Sequence, residues 1–303
     1  MEDKGICMMF PGIGSDYRKS LKKTGPLFRR ELRNLAKRAE SQYGIRIMDY
    51  LESEEQKETH VDLLTSWSSN YTCDYLVGAY LIQSGIAPRA ILGYSMGLIT
   101  GLAWGGAICY EDGILLLKTI IDYHKNGDEE EMATIVGLYK EDLQRIIRSA
   151  KEEEQVSIAC ENHDYCFVLS GKRESVLNIT EACQKAGAVQ SRVLNSGFAF
   201  HTESMRRGIG ELEACISKME IRPLKIPVLS AIDQNLVTSG SQIRRELIQN
   251  MYSVMQWQKS IETIRSEVDG FAEAGLSKAL SRLTKVIAEE KTYYTYDRVE
   301  GIV

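Results

Sequence analysis

The alternation of apolar and polar positions divides the chain into short apolar runs separated by longer stretches of helical periodicity. Gly5-Ile6-Cys7-Met8-Met9-Phe10 is continuously apolar, as a strand buried on both faces would be. It ends in Pro11-Gly12-Ile13-Gly14-Ser15, a tight loop whose glycines free backbone N–H groups to face a ligand. Residues 25 to 51 have helical spacing, with Leu27, Leu32, Leu35, Ala36 and Ala39 on one buried face. A second helical region runs from Leu63 to Ile86 with an interruption around Ser68-Ser69-Asn70, and Pro88 closes it and opens the strand Ala90-Ile91-Leu92. Leu98 to Gly105 is apolar and small enough for a buried helix. Another helical stretch follows through Ile114, Leu117, Ile120 and Ile121.

The pattern changes at the polar run Asn126-Gly127-Asp128-Glu129-Glu130-Glu131, which reads either as a domain junction or as a solvated loop. Beyond it, Met132 to Leu138 reads as a strand and Lys140 to Ala150 as an amphipathic helix. Val156–Cys160 and Cys166–Ser170 flank Asn162-His163-Asp164 as a hairpin. A helix from Arg173 to Ala186 and a strand from Val189 to Leu194 complete a β-α-β-β-α-β order, the ferredoxin-like split unit. Residues 197 to 303 return to longer helices around one strand, Ile226 to Ile232. No internal repeat or low-complexity segment is visible.

Composition narrows the class. The 303 residues, 44% hydrophobic and 26% charged, suit a globular protein with a sizeable core. A net charge of −5 with both signs interspersed gives no nucleic-acid footprint. Met1-Glu2-Asp3-Lys4 is charged and leads into a short apolar stretch, which is not a signal peptide. Nowhere do eighteen apolar residues run together, so no membrane span is expected. The seven cysteines are scattered without C-x-x-C spacing, which reads as reduced thiols in a cytoplasmic protein and argues against a zinc or other metal site.

Candidate chemistry centres on Gly93-Tyr94-Ser95-Met96-Gly97. An apolar strand feeds into this G-x-S-x-G pentapeptide and a small-residue helix follows, the context that makes the motif a nucleophile elbow. Ser95 would then sit at the strand end near the positive end of the helix, with the Met96 N–H aimed where an oxyanion forms. A glycine-rich strand–helix turn with an incidental serine is the alternative at this point.

Several stretches together resemble one family, the malonyl-coenzyme A:acyl-carrier-protein transacylases and the acyltransferase domains of polyketide synthases. Phe10-Pro11-Gly12-x-Gly14-Ser15 resembles its N-terminal loop, Gly93-x-Ser95-x-Gly97 its elbow, and Ala199-Phe200-His201-x-x-x-Met205 its histidine motif. Asn250-Met251-Tyr252-x-x-x-Gln256-Trp257-x-Lys259-Ser260 and Phe271-x-Glu273-x-Gly275 resemble its late motif and final strand. The resemblance covers nearly the whole chain. It implies an α/β fold, with an α/β-hydrolase-like large subdomain (1–128 and 197–303), an inserted ferredoxin-like small subdomain (129–196), and the active site in the cleft between them.

By the same resemblance Ser95 is the nucleophile and His201 the base, with the second ring nitrogen of His201 bonded to the backbone carbonyl of Asn250 in place of a carboxylate. The N–H groups of Met96 and Ile13 would hold the oxyanion. His60, His124 and His163 read as exposed. The chain departs from the family pattern at Ile13, where glutamine is usual, at Tyr94, where histidine is usual, and at Leu98, where an acidic residue commonly follows. The hairpin at Asn162-His163-Asp164 lacks a usual proline, and Leu276 replaces another. Malonyl-using members carry an arginine 25 residues after the nucleophile, whose guanidinium pairs the malonate carboxylate. Here that position is Ile120, and no arginine lies between Arg89 and Arg145. Lys118 or Lys125 is the remaining candidate for that task. Together with Tyr94, Leu98, Phe198 and Phe200, Ile120 would line the acyl pocket.

The loss of the arginine resembles the editing acyl hydrolases of polyketide assembly, which release uncharged acyl groups from stalled carriers. That is the first functional expectation. A loading acyltransferase for uncharged acyl groups, a malonyl-coenzyme A:carrier transacylase, and a non-catalytic carrier-docking module follow in that order. The implied partners are acyl carrier proteins, the acyl groups ride on phosphopantetheine or coenzyme A, and no resident cofactor is expected.

Overall fold

A computed structural model of the chain describes residues 4–53, 62–123 and 129–299. Its strands are β1 (Ile6–Phe10), β2 (Pro88–Gly93), β3 (Glu130–Val136), β4 (Val156–His163), β5 (Cys166–Lys172), β6 (Gln190–Val193), β7 (Val228–Leu229), β8 (Leu236–Val237), β9 (Met255–Gln256), β10 (Gly270–Glu273) and β11 (Thr292–Thr295). The helices are α1 (Arg18–Leu21), α2 (Pro26–Tyr43), α3 (Ile47–Leu51), α4 (Leu63–Gln83), α5 (Gly97–Trp104), α6 (Tyr110–Tyr123) and α7 (Lys140–Ala150). They continue with α8 (Arg173–Lys185), α9 (Ile209–Ser217), α10 (Gly240–Tyr252), α11 (Trp257–Ile264), α12 (Ala279–Ile287) and α13 (Tyr296–Val299).

Six strands form one sheet in the order β11-β10-β1-β2-β7-β8, parallel except for β8. β1 lies at its centre, which is why every one of its side chains is apolar and buried. The other sheet has the order β6-β3-β5-β4-β9. Its first four strands are antiparallel and carry α7 and α8, as the β-α-β-β-α-β pattern predicts. β9 then adds parallel to β4, pairing Cys160 with Met255 and Glu161 with Gln256. A segment from late in the chain therefore closes an edge of the second sheet and ties it to the first. No helix among the described residues is long and apolar enough to cross a membrane.

Several expectations need correction. The helical spacing over 25–51 covers two helices, because Gly44 adopts φ 70° and ends α2. On α2 the buried face is Phe28, Leu32, Ala36 and Ala39, whereas Leu27 is 50% exposed; the phase of the helix is set by Phe28, one position on. Ser68-Ser69-Asn70 does not interrupt α4. Ser69 and Thr72 donate their hydroxyls to the carbonyls four residues back, and Asn70 turns its side chain to the loop that follows β1. Within residues 197–303 the expected single strand shrinks to Val228–Leu229, and β10 and β11 enter the sheet. β10 is the strand that Phe271-x-Glu273-x-Gly275 resembles, although at four residues it has too little periodicity to stand out by hydrophobic pattern alone. The Glu130-Glu131 part of the polar run is also not a solvated loop, since both residues open β3 and are buried, whereas Glu129 is an exposed turn residue. Asn126, Gly127 and Asp128 lie outside the described residues, as do His60, His124 and Lys125.

The phase of α2 gives a direct test. Leu32→Ala should cost about 2–5 kcal/mol of stability in urea unfolding, and Leu27→Ala less than about 0.5 kcal/mol. Equal losses would mean that α2 turns a different face to the core.

Candidate active site

The pentapeptide sits where β2 ends and α5 begins, and Ser95 carries the strain of the turn with φ 54°. The flanking glycines are required by close approach. A Cβ on Gly97 would lie 2.1 Å from the Phe10 carbonyl oxygen, and one on Gly93 would lie 2.4 Å from the Leu98 backbone. Gly97 and Leu98 donate their N–H groups to the Tyr94 and Ser95 carbonyls, closing the turn. The Ser95 N–H donates to Met255 Sδ (3.2 Å), and Asn250 Nδ2 donates to the Ser95 carbonyl (3.2 Å). Met96 is the residue just ahead of α5, so its N–H belongs to the donors that a helix start leaves without an internal partner.

His201 also has a left-handed backbone, φ 62°, and its N–H donates to the Met251 carbonyl (2.8 Å). Its imidazole is 1% exposed, with Nε2 2.9 Å from Ser95 Oγ. Nδ1 lies 3.1 Å from the carbonyl oxygen of Ser253. A carbonyl can only accept, so Nδ1 carries the proton and Nε2 is left to accept from the serine hydroxyl. Burial pushes the imidazole down to about 4, partly offset by the Ser253 bond, and the ring is neutral at pH 7. The orienting carbonyl is therefore that of Ser253 and not that of Asn250. The chain leaves α10 at Ser253, in extended conformation, and this turns the Ser253 carbonyl toward the ring. Asn250 instead braces the elbow through its side chain.

The loop after β1 lies against this pair. A Cβ on Gly12 would be 3.8 Å from Ser95 Cβ and 3.1 Å from the Tyr94 carbonyl oxygen, which places Ile13 beside the elbow. Asn70, 1% exposed, holds the loop: its Oδ1 accepts from Gly14 N–H (2.9 Å) and its Nδ2 donates to the Ser15 carbonyl (2.7 Å). Tyr17 secures the far end by donating to the buried Asp74 Oδ1 (2.8 Å). Neither Asn70 nor Asp74 is singled out by the sequence, because each looks like a helix interruption or an ordinary polar position.

The remaining expected residues divide into two groups. Tyr94 packs edge-on against Trp257 and donates its hydroxyl to Asn162 Oδ1 (3.0 Å) at the end of β4, which joins the elbow to the second sheet. Leu98 is buried in the first turn of α5, behind the serine. Phe198 and Phe200 stack at 4.8 Å between centroids, and both lie against Trp67 of α4, a third aromatic that the sequence gives no reason to select. Ile120 is 2% exposed on α6, which packs on α5. Lys118 cannot stand in for an arginine there, since it faces solvent and pairs with Asp122 one turn on. No lysine or arginine among the described residues is buried. His163 is half-buried, with its ring 4.2 Å from that of Tyr165, and takes no part in the pair. All seven cysteines are free thiols, and no group of described residues has the makeup of a metal site.

A serine on a strained strand–helix turn, bonded to a buried neutral histidine, is the geometry of the serine enzymes that pass acyl groups through an ester. Residues 8–276 match the family model "Acyl transferase domain", and the chain belongs to that family. It is 28% identical over 214 residues to the malonyl CoA-acyl carrier protein transacylase of Escherichia coli K12, covering 69% of each chain. Among solved structures it is similar to the malonyl CoA-acyl carrier protein transacylase of Coxiella burnetii (TM-score 0.86, 21% identity, 100% of this chain and 97% of that one). A malonyl-transacylase in complex with its type II PKS acyl-carrier protein also matches (TM-score 0.83, 21% identity, 96% and 95%). These structures share the mixed α/β fold with two sheets.

The imidazole environment is measurable by itself. An NMR titration of His201 should give a midpoint near 4, well below the usual 6.5 or so of a solvated histidine. A midpoint above 6 would show that water reaches the ring.

Proposed function

We propose that this protein is an acyl-carrier-protein acyltransferase that passes uncharged acyl groups through an ester on Ser95. The 2.9 Å contact between Ser95 Oγ and His201 Nε2, with the ring tautomer fixed by Ser253, carries the reading. Ser95 Oγ attacks the thioester carbonyl while Nε2 takes its proton. The N–H groups of Met96 and Ile13 stabilise the oxyanion. Collapse breaks the C–S bond, and the leaving sulfur takes the proton from His201. An incoming thiol then gives its proton to Nε2, attacks the ester and regenerates Ser95.

Two considerations set the partners. The similar proteins are transacylases, and one of them was captured with an acyl-carrier protein, which supports a carrier phosphopantetheine thiol as acceptor. The editing hydrolysis of polyketide assembly shares every step up to the acyl-serine and differs only in water replacing the thiol. The second consideration is the acyl group. An isoleucine cannot pair a carboxylate, and a carboxylate left unpaired in the pocket costs several kcal/mol. Each 1.4 kcal/mol or so is tenfold, so malonyl should load on the order of 100-fold more slowly than acetyl or butyryl.

Rates of Ser95 acylation by acetyl, butyryl and malonyl thioesters test the pocket. Ile120→Arg should shift the malonyl-to-acetyl ratio at least about tenfold toward malonyl. Efficient malonyl loading by the unaltered protein would overturn the assignment. The acceptor is tested by mixing butyryl-carrier with a second, unloaded carrier and following both by mass. Stable transfer to the second carrier is expected, and release of free butyrate in its place would establish the hydrolase. In both assays His201→Ala should reduce turnover by about 10⁴-fold or more.

A further inference from the structure

We propose that Glu130 and Glu131 are positioning residues for His201, holding the segment that presents the imidazole to Ser95; the proposal rests on the Ser95–His201 reading. Between the end of β6 and His201 the chain has no helix or strand of its own. Asn195, Gly197 and His201 all have φ between 53° and 69°, so three of the eight residues 194–201 sit in the left-handed region, which is sparsely populated for every residue but glycine. Such a path persists only where its surroundings over-determine it. The surroundings here are two consecutive carboxylates at the start of β3, where successive side chains point to opposite faces.

Glu131 is 0% exposed. Its Oε1 accepts from the Ser196 N–H (2.8 Å) and the Ser196 hydroxyl (3.1 Å), and its Oε2 faces Arg173 Nη1 (2.7 Å). Glu130 Oε2 accepts from the Ala199 N–H (3.1 Å), two residues before His201, while Oε1 pairs with the exposed Arg207. The segment is thus bonded at 196 and 199 and again at His201 N–H, and Phe198 and Phe200 between these points lie against Trp67. Desolvating two neighbouring carboxylates is costly unless donors surround them, and here the donors are those of the histidine segment. Losing one bond should let the ring drift from Ser95 Oγ, and a misplacement of about 1 Å at a reacting group costs about 10²-fold.

The test uses the full-length protein with substitutions at the two positions, read by Ser95 labelling with a fluorophosphonate and by steady-state kinetics. Glu130→Ala leaves Arg207 in solvent and should fold. It should slow labelling and kcat by about 10- to 100-fold with KM within about twofold, and shift the His201 Nδ1–H resonance. Glu130→Gln, which keeps an acceptor oxygen, should recover to within a few-fold of the parent. Glu131→Ala should show the larger loss and Glu131→Gln a partial rescue. If Glu131→Ala does not fold, the two Glu130 variants decide. A folded Glu130→Ala with parental labelling and an unmoved Nδ1–H signal overturns the proposal, as does an equal loss in Glu130→Ala and Glu130→Gln. His201→Ala, run alongside, separates the two readings: if it labels at the parental rate, the base assignment fails, and if it alone is inactive, only the positioning role fails.

Discussion

The approach of Gly97 to the Phe10 carbonyl is the constraint on which the site depends. It lets α5 start directly against β1, and the turn that results leaves Ser95, and no glycine, in the left-handed conformation. The cost of that conformation is of order 1–3 kcal/mol, and it is met by the bonds from Leu98 N–H and Asn250 Nδ2 to the Ser95 carbonyl and by the packing of β1 and β2 beneath. The second strained residue, His201, is reached from a different sheet. Its position is fixed by Met251 and Ser253 at the end of α10 and by the carboxylates at the start of β3. The Ser95–His201 pair is therefore assembled from both sheets, and Tyr94–Asn162 and the β4–β9 pairing register them.

This arrangement explains why a neutral histidine suffices without a carboxylate behind it. A charged partner would stabilise the imidazolium and raise its proton affinity, whereas the Ser253 carbonyl orients the ring and offsets only part of the effect of burial. The ring stays buried and neutral, and in the proposed acylation the proton it receives would be held only until the leaving sulfur takes it. Trp67 on α4 packs with Phe198 and Phe200 just ahead of His201, and in the proposed acyl pocket these aromatics and the buried Ile120 of α6 would offer a charged acyl tail no counter-ion.

What the sequence makes legible follows from where the information is local. The elbow, the histidine motif and the ferredoxin-like strand order are contiguous patterns, and α7 runs over the residues that periodicity assigns it. The partner of His201 Nδ1 is not legible, because Asn250 to Ser253 are consecutive backbone carbonyls and only the exit of the chain from α10 turns that of Ser253 toward the ring. Asn70 and Glu131 are hidden for the opposite reason. Each is a polar residue in a polar-looking stretch, and its importance lies in groups 55 and 65 residues away. β10 is legible only through its motif and β11 escapes altogether, because four residues are shared equally well by strand and helix periodicity.

The central claim is that the elbow serine takes the acyl group. Incubating the protein with butyryl-carrier, quenching in acid and mapping the adduct by peptide mass spectrometry tests it most directly. A butyryl mass is predicted on the peptide that contains Ser95, and none in Ser95→Ala. An adduct on another residue, or one that persists in Ser95→Ala, would contradict it.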